Sequence, residues 1–381
     1  MSIHISSKIM SIHHPIRVLH LLDNPYLGGI TSHALSVAEA FAGDADIRVE
    51  IAVLPGRTPD RTLVERVRER GCAVHEIPMR GAFDPGVFWR LRRLTVEGEY
   101  HLVHTHAYRG LLVARHARLP APLIHTCHGG AVEPAFRTRV WERLSLRAMN
   151  KPRRVIACSD YVRRWLTAHG VASNKIQVIH NAVAEPAEPV QRLTREQFGI
   201  AADDTVFLYA GRLAPGKGLE LLLEAVTGLP NAFLLVAGEG PMRSQLENEA
   251  AVSKARVHFP GMVHDMAVFY ELADVAVLPS DMEALPMGLI EAAAWGLPAV
   301  ATHVGGIPEV VEDRVTGRLV PPGDADALRA ALEQAMSPAW RQSAGEAARA
   351  RWEARFSPAR LRNALASVYH EALLDQKSAN R

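Results

Sequence analysis

Cysteine is scarce in this chain: Cys72, Cys127 and Cys158 are the only three in 381 residues, and no two form a CxxC pair. An odd, unpaired set of this kind excludes a disulfide framework and points to a reduced, cytoplasmic compartment. No run of about 18 apolar residues occurs, so no membrane-spanning helix is expected. The opening MSIHISSKIMSIHHPI lacks the continuous apolar core of a signal peptide and reads as a ragged leader. There is no G-x-G-x-x-G turn, which argues against a dinucleotide-dependent dehydrogenase. No nucleic-acid-binding module is recognisable, and no D-x-D pair stands where a strand ends.

What is present suits a soluble globular protein: 48% apolar and 22% charged residues. A chain of 381 residues exceeds what one core supports, so two domains are expected. The net charge of +2 conceals an imbalance. Residues 1–185 hold 25 Lys and Arg against 16 Asp and Glu, an excess of +9, while the remainder carries −7. The excess peaks between Arg137 and Arg164, where FRTRVWERLSLRAMNKPRR and YVRRW place cations beside aromatics. This reads either as a solvated helix face or as a surface for an anionic membrane or a phosphate-bearing acceptor.

Strand-like and helix-like segments alternate through both halves, the pattern of parallel sheets covered by helices. In the first half, IRVLHLL (16–22), VEIAVLPG (49–56), AVHEIPM (73–79), HLVHTHAYRG (101–110), PLIHTCHGG (122–130), RRVIACSD (153–160) and IQVIHNAV (176–183) read as strands with their following turns. Ser159 is the expected N-cap of the next helix. The Pro- and Glu-rich AEPAEPV (184–190) is the expected linker. In the second half, TVFLYAGR (205–212), AFLLVAGEGP (232–241), RVHFPGM (256–262), ADVAVLPS (273–280) and LPAVATHVGG (297–306) continue the series. The tail helix should break at Ser357-Pro358, because proline disfavours helical geometry in the residue before it.

Five motifs carry chemistry. Glu283 and Glu291 are separated by seven residues, the first in a turn at a strand's carboxyl end, the second about one turn into the helix beginning near Met287. The unpaired backbone N–H groups at that helix start favour an anionic or hydroxyl-rich ligand. Arg212 and Lys217 lie five apart across a Gly-rich turn and can converge on one pyrophosphate, each by a charge-assisted hydrogen bond. Gly238-Glu239-Gly240-Pro241 forms a further turn, and Gly28-Gly29 follows the first strand. Finally, His101, His104, His106, His125 and His128 gather at two strand ends. Their H-x-H and H-x-x-H spacings lack the signature of a structural or catalytic zinc site, so no metal is expected. His101, His104 and His125 are read as hydrogen-bonded framework residues.

Taken in this order, the motifs resemble those of the family-4 retaining glycosyltransferases (glycosyl transferases group 1), over nearly the whole chain after about Ile16. The resemblance implies an α/β architecture of the GT-B type: two Rossmann-like βαβ domains facing a central cleft, with a C-terminal helix crossing back to the N-terminal domain. The implied division is 1–185 for the acceptor, 186–355 for a nucleotide-sugar donor and 356–381 for the returning helix. Donor contacts are implied for Gly29, Gly211, Arg212, Lys217, Gly238, Val263, Glu283, Leu285, Pro286, Met287, Gly288, Leu289 and Glu291. Glu283 would hold sugar hydroxyls, Glu291 the ribose and Val263 the base. His106 and His128 match strand-end histidines on the acceptor side of the cleft, His128 beside the transferred sugar. With Glu283, Arg212 and Lys217, His128 makes up the implied catalytic set.

The implied activity is transfer of a hexose-type sugar from a UDP- or GDP-sugar to a hydroxyl of a glycan or lipid-linked acceptor, with retention and without a metal or other cofactor. A role in cell-surface polysaccharide or glycolipid synthesis goes with it, at the inner face of the membrane. Three positions depart from the family pattern: Ala182 and Ala284 stand where glycine is usual, and His303 where Asp or Asn is usual. They bear on donor identity. A nucleotide-sugar epimerase of the same fold and a non-catalytic nucleotide-sugar binder are the alternatives.

Overall fold

The protein is described by a computed structural model covering residues 15–23, 29–54, 62–80, 84–129, 143–263 and 265–379, with side chains to residue 376. Arg137 and Arg139 of the basic stretch lie outside the described residues, as does Gly28.

Two parallel sheets organise the chain. The first contains β1 (Ile16–Asp23), β2 (Ile47–Leu54), β3 (Val74–Glu76), β4 (Leu102–His106), β5 (Leu123–Cys127), β6 (Arg154–Ala157) and β7 (Ile176–Val178). The second contains β8 (Thr205–Ala210), β9 (Ala232–Ala237), β10 (Val257–Gly261), β11 (Val275–Leu278), β12 (Ala299–Thr302) and β13 (Gly317–Val320). The strand order is β3-β2-β1-β4-β5-β6-β7 in one and β10-β9-β8-β11-β12-β13 in the other. Each order therefore reverses once, between β1 and β4 and between β8 and β11. An open parallel sheet binds ligands outside the carboxyl ends of its strands at such a switch point.

The strands form where apolar side chains run uninterrupted. AFLLVA of β9 is buried at every position, and TVFLYA of β8 at all but the last. A strand covered by helices on both faces requires this pattern. The helices of the first half are α1 (Gly29–Ala40), α2 (Thr62–Glu69), α3 (Gly86–Glu97), α4 (Ala107–His116) and α5 (Asp160–Ala168). Ser159 caps α5, its hydroxyl accepting from the Val162 N–H, as expected. The second half supplies α6 (Leu219–Val226), α7 (Arg243–Ser253), α8 (Ala267–Leu272), α9 (Met287–Ala294), α10 (Ile307–Val310), α11 (Ala325–Ala335) and α12 (Pro338–Arg355).

The chain then breaks at Phe356 and Ser357, and α13 (Pro358–Ala379) returns to the first sheet. Its Leu361, Leu365, Val368, Tyr369 and Ala372 join Val18, Val37, Val49, Leu102 and Ile156 in one buried cluster. Arg362 binds Asp44, and Arg154 reaches Asp375, at the edges of that contact. The outgoing linker and the returning tail touch: the Val183 N–H donates to the Phe356 carbonyl (3.0 Å), and Trp352 Nε1 donates to the Val183 carbonyl (3.3 Å).

Candidate active site

A cleft of about 1050 Å³ lies between the carboxyl ends of the two sheets. Gly29, Glu39, Arg66 and Arg70 line it from the first domain. Gly211, Arg212, Lys217, Gly238, Val263, Glu283, Leu285, Pro286, Met287, Gly288, Leu289 and Glu291 line it from the second. The donor-side residues singled out in the sequence thus come together from five strand ends, Gly29 from that of β1 and the rest from those of β8 to β11.

The Lys217 loop is fixed by backbone geometry. Gly218 has φ +67°, and a Cβ there would stand 2.0 Å from the Pro279 carbonyl oxygen, so only glycine lets this turn pack on the end of β11. Lys217 Nζ then lies 2.5 Å from Glu283 Oε1, which also accepts from the Ser280 hydroxyl at 2.9 Å. Without a ligand, Lys217 is therefore bound to the glutamate of the next turn. The Glu283 turn is backed in the same manner: Gly305, at φ +55°, would drive a Cβ to 1.9 Å from the Glu283 carbonyl oxygen.

Glu291 lies on the first turns of α9 and accepts the Tyr270 hydroxyl at 2.8 Å. Burial raises its carboxyl above the usual range, opposed by that hydrogen bond and by the charge of Arg66 on the opposite domain. At the start of α9, the Leu289 and Ile290 N–H groups are already given to the Pro286 carbonyl, both at 3.2 Å. The first-turn donors expected from the sequence are accordingly reduced to Met287 and Gly288.

The first domain contributes histidines. His106 ends β4, and Ala107, with φ +58°, turns the chain into α4 directly behind it. His106 does not face the cleft: it is fully buried. His128 follows β5 and is only partly buried. The adjacent Gly129 is packed so closely on Ala284 that a Cβ would approach the Ala284 Cβ to 2.7 Å, which sets His128 beside the Glu283 turn. His106 Nδ1 lies 3.2 Å from His128 Nε2, and His106 Nε2 lies 3.0 Å from His20 Nδ1. The Tyr369 hydroxyl of α13 joins His20 Nε2 and His104 Nδ1, each at 2.9 Å, and His104 Nε2 meets Thr126 Oγ1 at 2.7 Å.

Burial depresses these imidazoles, to about 3 for His20, about 4 for His128, and well below 6.5 for His33, His104 and His106. The cluster is neutral at pH 7. His104 and His101 are hydrogen-bonded framework residues as expected, the latter accepting the Arg17 N–H at 3.0 Å. His125 Nδ1 lies 3.0 Å from the Thr105 hydroxyl oxygen, while its Nε2 has no partner among the described residues. His20, His33 and Tyr369 were not singled out by sequence; only His20 lay inside a strand-like run that invited it.

Asp44-Ala45-Asp46 and Asp324-Ala325-Asp326 are D-x-D triplets, but neither lines the cleft. Asp44 binds Arg362 and the Asp46 and Ile47 N–H groups, and Asp324 caps α11.

Comparison with known proteins agrees with this arrangement. The family model for glycosyl transferases group 1 matches residues 190–351, and that for glycosyltransferase family 4 matches residues 27–185. D-inositol 3-phosphate glycosyltransferase of Mycobacterium tuberculosis is 30% identical over 77% of this chain and 66% of the relative, so the chain spans just under two thirds of that protein's length. Among solved structures, Anabaena Alr3699/HepE in complex with UDP-glucose superposes with a TM-score of 0.79 at 20% identity, over 93% of this chain and 99% of that one. A glycosyltransferase from Rickettsia africae gives 0.78 at 21% identity, over 94% and 99%. These structural likenesses bear on the fold alone, and the fold is GT-B.

Proposed function

The chain belongs to the glycosyltransferases of group 1 and family 4, and on that premise we propose that it is a retaining, metal-independent hexosyltransferase using a nucleoside-diphosphate sugar. The carrying observation is the convergence of Arg212, Lys217, Glu283 and Glu291 on one cleft from separate elements of the second domain. Residues 1–185 take the acceptor, 186–355 the donor, and 356–381 brace the first domain.

Arg212 and Lys217 meet the pyrophosphate, which draws Lys217 from its pairing with Glu283. The freed Glu283 carboxylate accepts sugar hydroxyls, and Glu291 accepts those of the ribose. As the C1–O bond breaks, its electron pair passes to the leaving phosphate oxygen. The cations and the Met287 and Gly288 N–H groups are preorganised where that charge develops, the largest single source of catalytic stabilisation. The acceptor hydroxyl adds to C1 from the same face and its proton passes to the departing phosphate. His128, beside the Glu283 turn, borders the sugar; His106 supports it from behind.

The donor to test first is UDP-glucose, carried by the Anabaena structure, followed by GDP-sugars. Inositol phosphate is the first acceptor, from the name of the 30% identical relative, followed by glycans and lipid-linked sugars. The +9 excess of residues 1–185, with Arg143 and Arg147 exposed, supports peripheral attachment to an anionic inner membrane surface during cell-surface polysaccharide or glycolipid synthesis. No helix among the described residues is long and apolar enough to cross a membrane.

Product analysis with and without acceptor tests this reading. A transferase releases nucleoside diphosphate and forms an α-linked product from an α-linked donor only when acceptor is present. An altered free donor sugar would indicate an epimerase, and no product under either condition a binding protein.

A further inference from the structure

Two histidine trios in the first domain bring ring nitrogens within 4.8 Å of one another: His20 with His104 and His106, and His33 with His106 and His128. They differ in what they leave unpaired. Both ring nitrogens of His20 and of His104 are engaged, by His106, Tyr369 and Thr126. That trio is complete as a hydrogen-bond network. In the other, His33 is 3% exposed, and neither of its nitrogens has a partner among the described residues; His128 Nδ1 has none either. A buried polar atom left without a partner keeps its full desolvation cost, so an orphaned imidazole of this kind needs an explanation.

We propose that His33, His106 and His128 form a binding site for a divalent ion of the zinc class. The separation fits: tetrahedral Zn–N bonds of about 2.0–2.1 Å put two ligand nitrogens about 3.3 Å apart, and His106 Nδ1 and His128 Nε2 stand 3.2 Å apart. His33 closes the third side, its ring centroid 5.2 Å from that of His106 and 5.0 Å from that of His128. The ligand is all imidazole nitrogen, which suits Zn²⁺, Co²⁺ or Ni²⁺ and not Mg²⁺ or Ca²⁺.

The complete trio supplies the orientation. A metal-bound histidine donates its other N–H to an outer partner, fixing the tautomer. With an ion on His106 Nδ1, its Nε2–H donates to His20 Nδ1, His20 Nε2–H donates to the Tyr369 oxygen, and the Tyr369 hydroxyl donates to His104 Nδ1. Every group in that chain then has its proton placed without charging an imidazole. His128 is the least buried of the three, so the fourth coordination position opens on its side. The ion ties the first turns of α1 to the ends of β4 and β5. Neither Arg212 nor Lys217 belongs to the trio, so the site is compatible with donor binding that needs no metal.

The test uses the EDTA-treated full chain titrated with Co²⁺. The proposal expects the visible bands of four-coordinate cobalt at about one equivalent, displaced by Zn²⁺, and lost in His33→Ala and His33→Asn but kept in the control His169→Ala. Absence of those bands, or bands unchanged in the His33 variants, overturns it. Should neither His33 variant fold, zinc-edge X-ray absorption on the wild-type chain decides: three imidazole nitrogens at about 2.0–2.1 Å support the site, and a shell with one imidazole or none overturns it.

Discussion

His180 Nε2 donates to Glu309 Oε2 across 2.9 Å, from one domain to the other. The same carboxylate accepts the Asp160 and Tyr161 N–H groups, at 2.8 and 3.0 Å, and so satisfies the orphan donors at the start of α5. Next to it, the Ser159 hydroxyl donates to the Ala284 carbonyl at 2.6 Å. The turn that carries Glu283 is thereby held to the domain that carries His128.

Glu309→Gln should weaken this clasp by about 1.5–3 kcal/mol, the worth of a hydrogen bond to a charged group. Burial raises the Glu309 carboxyl, but His180 and the two N–H donors outweigh it and leave it below its ordinary value of 4.5. Its contribution is therefore complete above about pH 4.5 and lost as pH falls through the lower folded value. Denaturation across that range should show a shallower acid limb in Glu309→Gln than in wild type; identical slopes would deny the clasp its charge.

Arg212→Ala and Lys217→Ala should each weaken nucleoside-diphosphate binding by about 1.5–3 kcal/mol. Lys217→Ala also leaves Glu283 free for sugar hydroxyls, so its loss should be no larger with a sugar-bearing donor. Calorimetry with UDP, GDP and UDP-glucose reads both effects, and unchanged affinity in both variants would remove these cations from the phosphate site.

The two glutamates should separate. Glu283→Gln keeps shape but loses the charge proposed to orient sugar hydroxyls, and should depress turnover more than affinity for the bare nucleotide. Glu291→Gln should weaken the bare nucleotide, because a ribose contact does not depend on the sugar. Equal effects on UDP affinity would show the roles to be misassigned.

On the roles proposed for Arg212 and Lys217, whose charge would stand in for a phosphate-bound cation, sugar transfer should survive EDTA. Turnover lost on chelation and restored by Mg²⁺ or Mn²⁺ would reverse this. Restoration by Zn²⁺ alone would instead couple transfer to the histidine site.

Tyr369→Phe should cost about 1–3 kcal/mol of stability, because it leaves buried nitrogens of His20 and His104 without their partner. Denaturant unfolding measures it, and a change within about 0.5 kcal/mol, as at an ordinary surface position, would mean the network tolerates the gap.

The strands and the loops that line the cleft from the second domain were legible in the sequence because their causes are local. A strand covered on both faces must be apolar throughout, so AFLLVA and TVFLYA announce themselves. The Gly-rich turn between Arg212 and Lys217, and the seven-residue spacing of Glu283 and Glu291, are set by a few consecutive backbone angles. Tertiary structure alone decided that Lys217 pairs with Glu283, 66 residues on, that Glu309 clasps His180, 129 residues back, and that Tyr369 reaches His20, 349 residues away. It also buried His106 behind His128, where the strand end had pointed to a cleft-facing role. A hydrogen-bond partner so distant is chosen by strand order and by the path of α13 across the first sheet, neither of which leaves a periodic trace in the residues themselves.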